Sequence, residues 1–211
     1  MKKILALLLA LLLCGCTAAL AEASEKTFQF RDLAWGASYD EINGQVGLDA
    51  LFEEDDPHSV AYVLYSGEDI VLESGVDYYA WYTADAVEAI GKVAGYKVEN
   101  IRLCFSAVPN AAGKITGEPA DTALYLARYD LQCADGRAAF DSLTRKLTRL
   151  YGDVDLEIED IVDYPINVWY GAEGTMIALK RYGTYELHLS YASGEGDALR
   201  LNAYEQDVDG L

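Results

Sequence analysis

The chain is poor in the residues that most often carry chemistry. Of its 211 residues, two are histidines, His58 and His188, and four are cysteines. No second histidine lies near either one in sequence, and no cysteine pair has metal-ligand spacing, so the spacing offers no zinc site. Basic residues are scarce as well. Sixteen Lys and Arg stand against 35 Asp and Glu, a net charge of −19. Such a surface repels nucleic acid phosphates and anionic lipid headgroups, so nucleic acid is not a partner. It suits cations or basic proteins, and it also serves plain solubility. There is no Gly-x-Ser-x-Gly elbow, phosphate loop or dinucleotide fingerprint, so no cofactor is expected and no catalytic residue is assigned. A Ser-His-Asp triad needs no adjacency in sequence and stays open. Gly171-Ala172-Glu173-Gly174 sits between strands and opens no helix, so it reads as a turn.

Calcium is the metal the acids bring to mind. Asp153, Asp155 and Glu157 alternate as at the start of an EF-hand loop. Ile158 stands where that loop needs glycine, and Tyr164 where it needs its bidentate acid. A strand with one acidic face explains the same pattern, so no metal ligand is assigned. Paired carboxylates carry no information in so acidic a chain. The sixteen tyrosines are expected mainly as cross-strand packing.

Long apolar runs are missing too, apart from Ile4 to Leu13, which is too short to span a bilayer. Lys2 and Lys3 precede it and Ala19-Leu20-Ala21 follows it, the order of a secretory signal peptide over residues 1–21. Two processing routes fit. Cleavage after Ala21 releases a soluble chain. Leu13-Cys14-Gly15-Cys16 also resembles a lipobox, in which Cys16 is acylated and anchors the chain to the outer face of the cell membrane. Either route puts residues 22–211, one domain, outside the cytoplasm; membrane contact comes only through the lipid. Cleavage removes two lysines and no acid, which takes the charge from −19 to −21.

Cys104 and Cys133 are then the two cysteines left. The oxidising compartment permits a bridge, yet alternation argues against one. Cys104 falls on the face of Arg102 and Ser106, and Cys133 on that of Tyr125, Tyr129 and Leu131. Period-2 geometry points the two sulfurs to opposite sides of one sheet unless a bulge intervenes.

Strand patterns dominate the rest. Phe28 and Phe30 alternate with polar residues as in a half-buried strand. Ser38 and Glu41 make a capping box for a short helix that ends at Gly47, with Trp35 wedged beneath it. Residues 53–58 form an acidic loop, and strands are expected at 60–65, 69–73, 76–83, 96–108 and 123–133. Gly91 and Gly95 make 84–95 a poor helix. Loop 109–122 holds two prolines and two glycines and is the candidate for disorder or for contact with a partner. The clearest helix is 137–151, with Asp135 as N-cap and Gly152 as stop. Phe140, Leu143, Leu147 and Leu150 form its apolar stripe, and Arg145, Lys146 and Arg149 suit its dipole. Residues 153–159 read as an edge strand. Strands follow at 166–171, 175–183 and 184–193, with a tight turn at Gly183, and 198–204 adds a last edge.

The fold class is α+β, an antiparallel sheet with two helices on one face. Each half runs strand, capped helix, glycine, strands, the plan of a degenerate duplication. With no site constellation in view, the sequence points to a non-catalytic binding or protein-interaction module of the cell envelope. Its partner would be an envelope or extracellular protein. The alternative is a secreted or envelope hydrolase whose site is not recognisable in sequence.

Several segments together resemble a family of small secreted proteins and lipoproteins of Gram-positive bacteria. They are FQFRDLAWGASYDEINGQVG, VAGYKVENIRLCFSA, LYLARYDLQC leading to FDSLTRKLTRLYG, and NVWYGAEGTMIAL. The first of them carries a Trp-Gly-x-Ser-x-x-Glu-Ile motif, and together they cover most of residues 28–192. Here Asn43-Gly44 interrupts the helix that family members usually keep whole. The resemblance implies no activity and brings no catalytic residues with it. The same helix also resembles, at the level of fold, β-lactamase inhibitor proteins and small outer-membrane assembly lipoproteins, a likeness that says nothing of function.

Overall fold

The structure is a computed structural model and describes residues 26–53, 77–158 and 164–194. The signal peptide, Cys16, His58, and the strands expected at 60–65, 69–73 and 198–204 lie outside the described residues.

Among the described residues, nine strands form one antiparallel sheet. They are β1 (Phe52–Glu53), β2 (Asp77–Trp81), β3 (Lys92–Val93), β4 (Tyr96–Ala107), β5 (Thr122–Gln132), β6 (Leu156–Ile158), β7 (Ile166–Tyr170), β8 (Met176–Arg181) and β9 (Glu186–Ala192). Their spatial order is β1-β2-β4-β5-β9-β8-β7-β6, and β3 pairs with the start of β4. The helices are α1 (Tyr39–Val46), α2 (Ala84–Ile90) and α3 (Gly136–Tyr151). The class is therefore α+β, with three α-helices among the described residues rather than two.

The third helix is the one the glycines argued against. Gly91, at φ 66°, ends α2 instead of breaking it. Ala94 and Gly95, both at positive φ, make the two-residue turn from β3 into β4. A seven-residue helix needs no high propensity when Val87 and Ile90 pack against a finished core.

The two helix caps form as their sequence signals predict. Ser38 accepts from the Glu41 amide, and the Glu41 carboxylate accepts from the Ser38 amide. Asp135 caps α3 through the Ala138 amide at 3.0 Å. Phe28 and Phe30 are buried, yet they form no strand. The Phe28 amide donates to the Thr175 hydroxyl, so its hydrogen bond goes to a side chain rather than a ladder. Trp35 is half-buried, and its Nε1 donates to the Phe28 carbonyl at 2.8 Å. Leu150 does not extend the stripe of α3. It is exposed, and Tyr151 turns to the core in its place. Loop 109–118 has defined local structure: the Asn110 side chain accepts from the amides of Ala112 and Lys114.

Alternation sorts the sheet into two faces. The first carries Ile101, Leu103, Phe105, Tyr129, Leu187, Leu189, Ile177, Leu179 and Trp169. They share one apolar cluster with Ile42 of α1 and Phe140, Leu143 and Leu147 of α3. Gly136 sets the start of α3. A Cβ there would lie 2.8 Å from the Gly183 carbonyl oxygen, and only glycine lets the helix approach the β8–β9 turn so closely. At the far end, Lys146 donates to the Ala94 carbonyl and so ties α3 to the β3–β4 hairpin.

Candidate functional site

The second face carries the charge. Register places residues of neighbouring strands side by side: Trp81 beside Arg102, Arg102 beside Arg128, and Arg128 beside Ser190. One step along the strands, Asn100, Asp130, His188 and Lys180 form the next row. Apart from Trp81 all are polar residues within a sheet, where alternation aims them away from the apolar cluster.

Two arginines directly opposite one another repel unless each is compensated. Arg128 is compensated by Asp130 two residues on, with Nε to Oδ1 at 2.8 Å and Nη2 to Oδ2 at 3.5 Å. The Arg102 guanidinium lies 4.2 Å from the centre of the Tyr79 ring and 5.7 Å from that of Trp81.

His188 sits beside this pair. Its Nε2 is 2.8 Å from Glu186 Oε1 and 3.6 Å from Asp130 Oδ1. The ring stacks on Tyr182 at 4.5 Å and 16°, and Tyr182 stacks in turn on Tyr164. Burial pushes His188 down to about 3, and the charges of Arg128 and Lys180 add to the effect. The imidazole is therefore neutral at pH 7. Burial also raises Asp130 against the pull of Arg128, and it raises Glu186, with Asp130 adding to the effect.

Sequence alternation had put His188 on the face of Glu186 and Ser190, and that is where it lies. Asp130 lies 58 positions away in sequence and meets His188 only through β5–β9 pairing, which no local pattern reveals. The signal was present in LYLARYDLQ, whose alternation sets Arg128 and Asp130 together on the face away from Tyr129 and Leu131.

The cluster is not a relay of the Ser-His-Asp kind. Such a relay holds the acid on one ring nitrogen and the nucleophile on the other. Here both carboxylates meet Nε2. Ser190 is buried and faces Arg128 across the ladder. Two described cavities lie elsewhere. One of about 950 Å³ is bounded by α2, Trp81 and the Lys97–Asn100 stretch, and one of about 380 Å³ lies by Arg137, Tyr164 and Arg181. His188 lines neither.

Of the other residues singled out from sequence, Asp155 accepts from the Tyr170 amide at 2.8 Å and so holds the β6–β7 margin. Cys104 is buried on the second face, while Cys133 packs against the apolar cluster of the first; they are not bridged. A bulge does occur beside Cys104, but it lies between Leu124 and Leu126 of β5 and leaves both sulfurs on opposite sides. No helix among the described residues is long and apolar enough to cross a membrane. No family model matches the chain, and neither does any curated protein or solved structure.

Proposed function

We propose that the chain is an extracytoplasmic, non-catalytic binding module whose partner is an envelope or extracellular protein. The observation that supports this most is the kind of surface it offers. Tyr182 is 49% exposed beside the charged cluster, Tyr185 is 65% exposed at the same turn, and Tyr170 and Phe52 are exposed at the two margins. Exposed aromatics beside charged groups suit a contact surface, because tyrosine buries large area at low entropy cost. A hydrolase needs a cleft that brings nucleophile and base together, and His188 lines neither described cavity.

The reading takes α1 and α3 as a pair on one face of the sheet, which leaves contact to the other face and the turns. Sheet order supports a duplicated plan. Leaving aside α2 and β3, α1 is followed by β1, β2, β4 and β5, and α3 by β6, β7, β8 and β9. Each run of four passes from one margin inward, and the two meet at β5 and β9.

The test compares the wild-type chain with Tyr182→Ala/Tyr185→Ala in capture from envelope extract, beside a broad panel of hydrolase substrates. A component captured by the wild type and lost by the variant, with the panel silent, is the expected result. Turnover of any panel substrate that depends on His188 overturns the reading in favour of the hydrolase.

A further inference from the structure

We infer that Asp130, Glu186 and His188 form a binding site for a divalent cation of the zinc class. The inference goes beyond the binding-module reading and does not depend on it.

Among the described residues, these are the one group of three ligand-type side chains whose donor atoms converge. Each offers an atom, and all three atoms lie within 4.8 Å of one another. A tetrahedral ion with bonds of about 2.0–2.1 Å holds its donors about 3.3 Å apart. Nε2 is 2.8 Å from the Glu186 oxygen and 3.6 Å from the Asp130 oxygen, each within about half an ångström of that spacing, and the two carboxylates lie within 4.8 Å of each other, a gap that side-chain rotation closes.

The chemistry of the three donors agrees with the geometry. An imidazole ligates through one ring nitrogen with its proton on the other, so a metal on Nε2 puts the proton on Nδ1. The two carboxylates supply two negative charges against the ion's two positive ones. Asp130 can keep its bond from Arg128 while giving a second lone pair to the ion. A hydrogen-bonded, ligating carboxylate of that kind is a common outer-shell arrangement. The backbone is prepared as well. Asp130 and His188 are cross-strand neighbours on β5 and β9, and Glu186 is two residues from His188 on the same face. The Glu186 side chain is 37% exposed and gives the ion its way in. One imidazole with two carboxylates suits zinc, manganese or iron better than calcium, which asks for six to eight oxygens. Arg128 and Lys180 lie close and weaken the site relative to one without cations.

The test uses the full chain stripped with a chelator and titrated with zinc chloride in excess magnesium, which occupies the acidic surface non-specifically. Calorimetry is expected to show one zinc per chain. His188→Gln and Glu186→Gln are each expected to weaken binding at least ~10-fold, with far-UV circular dichroism unchanged, and His58→Gln to leave it unchanged. In the wild type, zinc is expected to shift the His188 ring signals in the NMR spectrum, a readout that needs no variant to fold. No binding in magnesium, binding that His188→Gln leaves intact, or His188 signals unmoved by zinc overturns the inference. Partner capture is not part of this test, so its outcome and that of the binding-module test stand apart.

Discussion

Tyr82→Phe is expected to stabilise the protein. Tyr82 is 4% exposed at the end of β2, and among the described residues its hydroxyl has no hydrogen-bond partner. Leaving a buried hydroxyl unsatisfied costs about 1–3 kcal/mol. Phenylalanine keeps the ring and its packing and removes only that cost. A gain of about 1 kcal/mol follows, against a background in which most substitutions destabilise. At a urea dependence of about 2 kcal/mol per molar, the midpoint rises by about 0.5 M. The pH dependence gives a second readout. Burial pushes the Tyr82 phenol up to about 12 from an ordinary 10. Between those values the unfolded chain releases a proton that the folded chain keeps, so stability falls as pH rises through the window. The full linkage slope is about 1.4 kcal/mol per pH unit, and solvent screening brings it below about 1. Tyr129 and Tyr191 are raised by burial too, so the alkaline loss persists in the variant but is shallower. Urea unfolding at pH 7, 10 and 11 measures both effects. A Tyr82→Phe variant that is destabilised by more than about 1 kcal/mol at pH 7 refutes the reasoning, since the hydroxyl must then be satisfied.

Three further outcomes are expected. Ser38→Ala removes the capping bond to Glu41 and should cost about 1 kcal/mol in urea unfolding, whereas Ser38→Gly should cost a few tenths. Leu143→Ala empties the centre of the α3 contact, where the side chain is 1% exposed, and should cost about 2–5 kcal/mol, enough to lower the thermal midpoint visibly. A thiol reagent followed by peptide mapping should label Cys133 slowly, because burial and Asp135 hold its thiol above the ordinary range, and should reach Cys104 only in denaturant. A bridged Cys104–Cys133 peptide after air oxidation of the folded protein would contradict the placement of the two sulfurs on opposite faces.

The parts of the fold that could be read in the sequence are those set by local signals. The capping box at Ser38 and Glu41, the Asp135 cap and the alternation of β4 and β5 each depend on residues within a few positions of one another. The misreadings share a cause: tertiary packing decided them. Phe28 and Phe30 alternate like a strand, but the backbone bonds to Thr175, 147 positions away. Gly91 and Gly95 look like helix breakers until one is seen as a cap and the other as a hairpin turn. Leu150 fits the helical period, but in that last turn it is Tyr151 that packs on the core beside Phe28, and Leu150 faces outward. The same division holds at the site. His188, Glu186 and Ser190 could be assigned to one face from a single strand. Arg102, Asp130 and Lys180 joined them only through pairing between strands far apart in sequence.

That pairing has a consequence for how the chain finds its fold. β5 and β9 are the innermost strands of the two runs, so their ladder joins one half of the sheet to the other. Leucine, tyrosine and alanine make up its first face, and apolar contacts there would tolerate a slip of two residues, which returns every side chain to the same side. The second face would not. Shifted two places one way, Asp130 would lie directly against Glu186, setting a buried carboxylate beside a half-buried one. Shifted the other way, Asp130 would face Ser190 and His188 would face Gln132. Only the native alignment sets Asp130 beside His188. A few buried polar groups thus make one pairing of the halves unique, at a point where hydrophobicity alone would accept several.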